Sequence, residues 1–191
     1  KSFNAISVDG ETSTNDSFVA INSGEKIDKR FFPIIQKGID IVCQNLAKNI
    51  ARDGEGANCL LEVLVKGAKN TEDAIMIAKS ICNSPLVKTA IHGCDPNWGR
   101  IISAAGNSGV KFNLDDVDLY IGNYQILEKG KLNKYDSQKV TYYIKSKMKG
   151  SYLLDDIVKI MIHLNSGEYN GIAWGCDLSK KYVEINVEFT T

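Results

Sequence analysis

The chain has 191 residues, of which 43% are hydrophobic and 24% are charged, and its 23 basic side chains balance 23 acidic ones. This is the composition of an ordinary globular domain, and the length allows one hydrophobic core. A net charge of zero without a basic stripe argues against nucleic-acid binding, and no apolar run approaches the length that spans a bilayer. We therefore expect neither a nucleic-acid nor a membrane partner.

Helical and extended patterns alternate along the first half of the chain. The predicted elements are a helix over 31–51, a strand over 59–65, a helix from Thr71 to just before Pro85 and a short helix over 100–105. Asp28 is a plausible N-cap and Gly54 a stop signal for the first helix, and Asn70 or Thr71 caps the second. The short helix follows Pro96 and ends at Gly106.

The second half is richer in strand patterns. The predicted elements are strands over 117–121 and 124–127 joined at Gly122-Asn123, a helix over 139–148, and a hairpin of strands over 155–164 and 169–176. No linker or repeat divides the sequence, so we expect a single unit over 1–191. The predicted fold class is α/β, an α+β layered arrangement in which helices flank a mixed sheet.

The last ten residues alternate apolar and polar side chains from Tyr182 to Phe189. A period of two predicts a strand, and an ordered strand would place the terminus inside the fold rather than in a loose tail. We therefore expect the Asn186 amide and the Thr191 hydroxyl and α-carboxylate to reach a pocket.

Cysteine and histidine usage limits the possible chemistry. The five cysteines are scattered without a Cys-x-x-Cys pair, which favours buried thiols in a reducing compartment over a metal site or a redox motif. His92 and His163 are the two histidines, so a histidine triad or zinc site would depend on one of them. We expect no metal, and a catalytic base other than histidine.

Three polar motifs have both a structural and a functional interpretation. The segment 9–16 is interpreted as a turn and helix cap rather than a metal loop, because Asp-Gly is a strong turn signal. Glu55 lies between Gly54 and Gly56, which suit either a plain loop or the close approach of a ligand amine. The segment 95–100 suits an anion site at a helix N-terminus, with Arg100 as an anchor, and equally a plain helix start.

Five segments resemble, in the same order, the β-chain of the ornithine acetyltransferases, also called glutamate N-acetyltransferases. The matching segments are 2–16, 53–57, 78–90, 95–101 and 173–191. They cover nearly the whole chain, and five such matches in register are hard to obtain by accident.

The resemblance implies an enzyme of arginine biosynthesis with a self-cleaving, threonine-nucleophile acetyltransferase fold. One precursor would cleave itself into α- and β-chains and free an N-terminal threonine, whose own α-amine can serve as its base. That threonine would take an acetyl group from N-acetylornithine and pass it to glutamate. No cofactor is implied, although some members accept acetyl-CoA as a substrate.

The resemblance also implies which residues of this chain bind substrate. Glu55, Asn186 and Thr191 match β-chain positions that contact substrate, Glu55 at a charged amino group and the other two at polar groups. The nucleophilic threonine is expected upstream of Lys1, so we assign no catalytic residue here. The chain is then most of a β-chain, expected to be inactive alone.

Partners and location follow from the same resemblance. We expect the α-chain of the same precursor as a partner, in an α2β2 heterotetramer or a larger oligomer, in the cytoplasm or alternatively the mitochondrial matrix. The alternatives are a related threonine-nucleophile acyltransferase or aminopeptidase with another substrate, and a non-catalytic module that binds a partner.

Overall fold

The computed structural model describes residues 2–148 and 150–188, which form a six-stranded mixed sheet flanked by helices. The strands are β1 (Leu60–Ala68), β2 (Asp118–Ile121), β3 (Tyr124–Glu128), β4 (Lys131–Leu132), β5 (Ile157–His163) and β6 (Tyr169–Cys176). The helices are α1 (Phe32–Arg52), α2 (Thr71–Asn83), α3 (Pro85–His92), α4 (Trp98–Gly106), α5 (Ser137–Met148) and α6 (Lys180–Glu188). The predicted α/β class is confirmed. Among the described residues, no helix combines the length and apolar character needed to cross a membrane.

The strand order is β4-β3-β2-β5-β1-β6, so the predicted hairpin of β5 with β6 is wrong. β1 lies between them, parallel to β5 and antiparallel to β6. The predicted turn instead wraps the end of β1, where the Ser166 backbone N–H and hydroxyl both donate to the Gly67 carbonyl, at 2.9 and 3.0 Å. A turn signal locates a change of direction but does not say which strand comes alongside.

Local capping signals explain the helix boundaries. The Asn70 side chain accepts the Asp73 N–H at 2.7 Å, which confirms the predicted start of α2. The sequence prediction missed α3 because it took Pro85 only as the end of α2. Ser84 caps α3 and Pro85 occupies its first turn, a position where proline is favourable.

The predicted C-terminal strand is wrong as well, because residues 180–188 form helix α6. Every residue of α6 is exposed or half-exposed, so this segment is not held inside the fold. Its half-buried residues, Tyr182 and Ile185, are three apart and share one side of the helix. Asn186 donates to the Tyr182 carbonyl at 2.9 Å, a contact that a strand would not allow.

The sheet has two unlike faces. The closed face carries the main core, which β1 enters through Leu61, Val63 and Val65 and which α2, α3, α4 and α5 cover. Strand alternation turns Leu60 and Glu62 to the open face, where α1 contributes to a small cluster with Trp174. Most of α1 extends beyond that cluster and exposes a row of apolar side chains along one side of the helix: Phe32, Ile39, Val42, Leu46 and Ile50.

Candidate functional site

Two of the three predicted substrate residues meet at one end of the molecule. Asn186 on α6 donates from its side-chain nitrogen to a carboxylate oxygen of Glu55 at 2.5 Å, and both side chains are exposed. Glu55 lies in the turn between α1 and β1, here called the Glu55 loop (residues 53–58). This contact brings Glu55 and Asn186 together, their role in binding substrate stays a prediction, and Thr191 lies outside the described residues.

The glycines beside Glu55 are required by the close approach of other parts of the chain. Gly56 has φ +67°, and a Cβ there would lie 2.7 Å from the Tyr182 nitrogen of α6. A Cβ at Gly54 would lie 2.8 Å from the Cys176 sulfur and 3.0 Å from Val8. Protein atoms thus occupy the space that these glycines open, and the Glu55 side chain is left facing solvent.

Besides the Glu55 loop and α6, the N-terminal segment lies beside the site and contributes Asp9. Its carboxylate accepts the Glu11 N–H at 3.0 Å and the Tyr182 hydroxyl at 3.1 Å. Partial burial, followed by the hydrogen bond and negative charge of Asp9 and the charges of Glu55 and Glu11, raises the pKa of Tyr182. The carboxylates of Asp9, Glu55 and Glu11 thus place negative charge around Tyr182.

Asp177 is buried directly after β6 and holds the far end of the Glu55 loop. One carboxylate oxygen accepts the backbone N–H groups of Asn58 and Cys59, at 2.7 and 3.0 Å. The other oxygen accepts the Asn58 side-chain amide at 2.9 Å and lies 2.9 Å from Nδ1 of His92. A carboxylate that accepts several hydrogen bonds tolerates burial well.

The contact with Asp177 fixes the role of His92. Because an ionised carboxylate only accepts hydrogen bonds, Nδ1 of His92 is the donor in this contact. Its side chain is 37% exposed. His92 therefore supports Asp177 from the surface end of α3.

A buried lysine completes the support beneath the site. Lys88 is 2% exposed, donates to the Val8 carbonyl and lies 3.6 Å from the Cys176 sulfur. Burial raises the pKa of the Cys176 thiol, and the nearby Lys88 ammonium opposes that rise. The Lys88 carbonyl also accepts the Leu178 N–H at 3.3 Å. Lys88 thus joins α3 to the N-terminal segment and to the connection between β6 and α6.

The other predicted motifs have structural roles. At the start of segment 9–16, the hydroxyl of Ser7 accepts the Gly10 N–H at 3.0 Å, which supports the predicted turn. The predicted helix cap is wrong, because the next helical element begins only at Lys29. In segment 95–100, Asn97 caps α4, and the Arg100 guanidinium donates to the Leu86 carbonyl at 3.0 Å, bracing α3 against α4. Within residues 2–148 and 150–188, no group of three or more histidine, cysteine or acidic side chains is arranged to hold a metal.

Sequence reasoning named no role for Lys88, Asp177 or Ser179. One signal for Lys88 was available, because it lies beside Val87 and Ile91 on the buried side of a helix. No local signal existed for Asp177, since its backbone partners are 118 and 119 residues away. The site as a whole presents an exposed carboxylate beside a carboxamide and a phenol, which suits recognition of a small ligand that carries an amino group.

Comparison with known proteins places this geometry in a family. The whole chain, residues 1–191, matches the ArgJ family. It is 76% identical over 191 residues to the arginine biosynthesis bifunctional protein ArgJ of Prochlorococcus marinus subsp. pastoris. It is 48% identical over 196 residues to the protein of the same description from Dehalococcoides mccartyi. Both comparisons cover all of this chain but only 48% and 46% of the relatives, so the chain spans about half their length.

A solved structure agrees with this assignment. The crystal structure of the arginine biosynthesis bifunctional protein ArgJ from Bacillus halodurans matches with a TM-score of 0.90 and 43% identity. The match covers 99% of this chain and 88% of that chain. Fold and sequence therefore lead to one conclusion: the chain belongs to the ArgJ family.

Proposed function

We propose that this chain supplies substrate-binding groups to an acetyltransferase of arginine biosynthesis that moves an acetyl group from N-acetylornithine to glutamate. Family membership and the names of the relatives support a role in arginine biosynthesis. The observation that carries the proposal is the pairing of Glu55 with Asn186 at an exposed site. The resemblance assigns both residues to substrate-contacting positions of the β-chain, and the fold brings them together although they are 131 residues apart in sequence.

The exposed carboxylate explains how such a site selects its substrate. N-acetylornithine carries a charged side-chain amino group, which Glu55 would bind, while Asn186 and Thr191 hold polar groups elsewhere on the molecule. The Asp9 carboxylate adds negative charge nearby. Charge pairs of this kind contribute more to specificity than to net affinity.

The transfer itself would use a threonine from the part of the protein outside this chain. Its hydroxyl attacks the acetyl carbonyl of N-acetylornithine, ornithine leaves as the free amine, and an acetyl ester remains on the threonine. The amino group of glutamate then attacks that ester and restores the hydroxyl. Acetyl-CoA is a possible alternative acetyl donor in the first step.

Two observations support a second chain as partner. The curated relative is matched over 48% of its length, whereas the chain of the solved ArgJ structure is matched over 88%. A chain of about half the length of the relative is expected if a precursor is cut into an α-chain and a β-chain. Helix α1 also exposes the row of apolar side chains that an α-chain would cover. We propose an α2β2 or larger assembly in a reducing compartment such as the cytoplasm.

The substitution Glu55→Gln in the full-length protein tests the proposal. It keeps the size of the side chain and its bond to Asn186 but removes the charge, so kcat/KM for N-acetylornithine should fall about 10- to 100-fold. Circular dichroism should not change, because Glu55 is exposed. The matched control is Glu184→Gln, which neutralises another exposed carboxylate, on α6.

Three results would count against the proposed function. Equal kcat/KM for wild type and Glu55→Gln would remove Glu55 from the substrate site. An assay of N-acetylornithine against other acylated amines tests the substrate, and a preference for another acylated amine would favour a related acyltransferase or aminopeptidase. Absence of any transfer by the full-length protein would favour a partner-binding module.

A further inference from the structure

We propose that Asp177 and Ser179 are positioning residues that hold the Glu55 loop against α6 and so set the separation of the Glu55 carboxylate from the Asn186 carboxamide. The inference rests on the proposed function, because it assigns these two residues to the same substrate site. They lie in the connection between β6 and α6 and touch no substrate group themselves.

The need for support follows from the exposure of the pair. Glu55 and Asn186 are 131 residues apart in sequence, lie on different elements and are both open to solvent. A hydrogen bond between exposed side chains contributes little, since water competes for both partners. Their bond therefore does not fix the distance between the loop and the helix, and other contacts have to do so.

Ser179 joins the two elements through one hydroxyl. It is 7% exposed, donates to the Gly56 carbonyl at 2.6 Å and accepts the Lys181 N–H at 3.1 Å. The first contact holds the residue after Glu55, and the second holds the first turn of α6. Asn186 lies on the next turn and is bound to the Tyr182 carbonyl, so its position follows that of the helix.

Asp177 fixes the other end of the loop. Its side chain is fully buried and takes the backbone N–H groups of Asn58 and Cys59. With Ser179 at Gly56 and Asp177 at Asn58, both attachments of the loop to the connection lie within three residues of Glu55. Because these hydrogen bonds are buried or partly buried, they are better shielded from water than the exposed pair, and they hold the separation that the pair itself cannot maintain.

The test uses Ser179→Ala in the full-length protein, with Ser179→Thr as the variant that keeps the hydroxyl. Loss of the hydrogen bonds to the Gly56 carbonyl and from the Lys181 N–H should raise KM for N-acetylornithine about three- to tenfold. The turnover number should change less than about twofold, and Ser179→Thr should restore KM. Asp177→Asn should raise KM at least as much, since its amide would face the donors of Asn58 and His92.

Two controls separate positioning from general stability. Ser80 donates to the Ala104 carbonyl at the same distance, 2.6 Å, between α2 and α4. Ser80→Ala should lower thermal stability to a similar extent but leave KM unchanged. In a Glu55→Gln background, Ser179→Ala should have little further effect on KM, because the charge that it positions is gone. Additive effects, or a similar rise in KM with Ser80→Ala, would overturn the proposal.

Hydrogen exchange provides a readout that does not depend on activity. Ser179→Ala should speed exchange in residues 53–58 and in the first turn of α6, and leave β1 protected. Unchanged exchange in both segments would overturn the positioning role whatever the kinetics show. If the wild-type protein transfers no acetyl group, the proposed function fails, whereas the exchange result still decides whether Ser179 holds the loop.

Discussion

The two faces of the sheet are built from the same strands, but the rest of the chain covers one face fully and the other only in part. On the closed face, β1 buries Leu61, Val63 and Val65 completely beneath the surrounding helices. On the open face, the cluster around Trp174 is small, and α1 leaves residues such as Val42 and Leu46 about half exposed. A row of exposed apolar side chains of this length is unusual for a surface that stays in water.

This difference shows which face of the sheet the chain can bury without another chain. The closed face needs no further surface, since its side chains already contact one another. The open face contains the anchors that hold α1, and Glu55, one of the two residues proposed to bind substrate, lies in the turn that follows this helix. We infer that the closed face supports the fold, whereas the open face is completed by the rest of the protein.

The largest expected effect comes from breaking the anchor of α1. Arg52, at the end of this helix, pairs with Asp156 through Nε at 2.6 Å and Nη2 at 3.1 Å, and both side chains are buried. Asp156→Ala should destabilise the protein by about 3–5 kcal/mol, because it leaves a buried charge without its partner. Urea denaturation of the full-length protein measures this. The exposed pair Lys181–Glu184 is the control, and Glu184→Ala should cost under about 0.5 kcal/mol.

The next effect tests the closed face itself. Ile77 of α2 is fully buried in the main core. Ile77→Ala should cost about 2–5 kcal/mol, since the removed methyl groups leave a cavity in a region that is already filled. The matched substitution Ile39→Ala acts on a side chain of α1 that is 51% exposed. Equal losses in urea denaturation would show that α1 is as deeply covered in the assembled protein as the closed face is here.

A substitution on α1 tests the open face directly. Leu46→Asp introduces a charge into the exposed apolar row and should weaken association with the partner chain about 10- to 100-fold. Sedimentation velocity of the full-length, processed protein measures the assembly. Leu86 of α3 is similarly exposed and provides the control, so Leu86→Asp should leave assembly intact. Intact assembly in the Leu46→Asp variant would contradict the assignment of α1 as an interface.

Much of the fold could be predicted from local patterns. Helical spacing and caps located α1, α2, α4 and α5, and the Gly122-Asn123 turn located β2 and β3. The order of the strands could not be predicted from the sequence, because the position of β1 between β5 and β6 depends on pairing between distant segments. The alternation at the end of the chain was misleading, since tertiary context decides whether a short alternating run becomes a strand or a helix.

The candidate site divides in the same way. The resemblance identified Glu55 and Asn186, which the fold then placed in contact. Asp177 and Ser179 could not be found by spacing, because their partners in the Glu55 loop are more than a hundred residues away. Sequence motifs name the groups proposed to meet the ligand, whereas the groups that hold them become visible only once the chain is folded.

The smallest expected effect concerns the thiols behind the closed face. Burial raises the pKa of Cys82 from 9.0 to about 12, although the nearby Lys88 opposes the rise. The unfolded chain therefore loses this proton first, so the thiol's contribution to stability is complete below its unfolded pKa and is lost as the pH rises toward the folded value. Stability should fall by about 1.4 kcal/mol per pH unit for each such thiol above the unfolded pKa.

The measurement is the free energy of unfolding between about pH 9 and pH 11, a range set by the unfolded and folded values. The free energy of unfolding should fall less steeply with pH in Cys82→Ala than in wild type, by about 1.4 kcal/mol per pH unit. This difference in slope is expected even though the substitution lowers stability at every pH. Cys43→Ala, which removes a half-buried thiol from α1, is the matched control. Identical slopes for wild type and Cys82→Ala would mean that the closed face opens to water at alkaline pH before the chain unfolds.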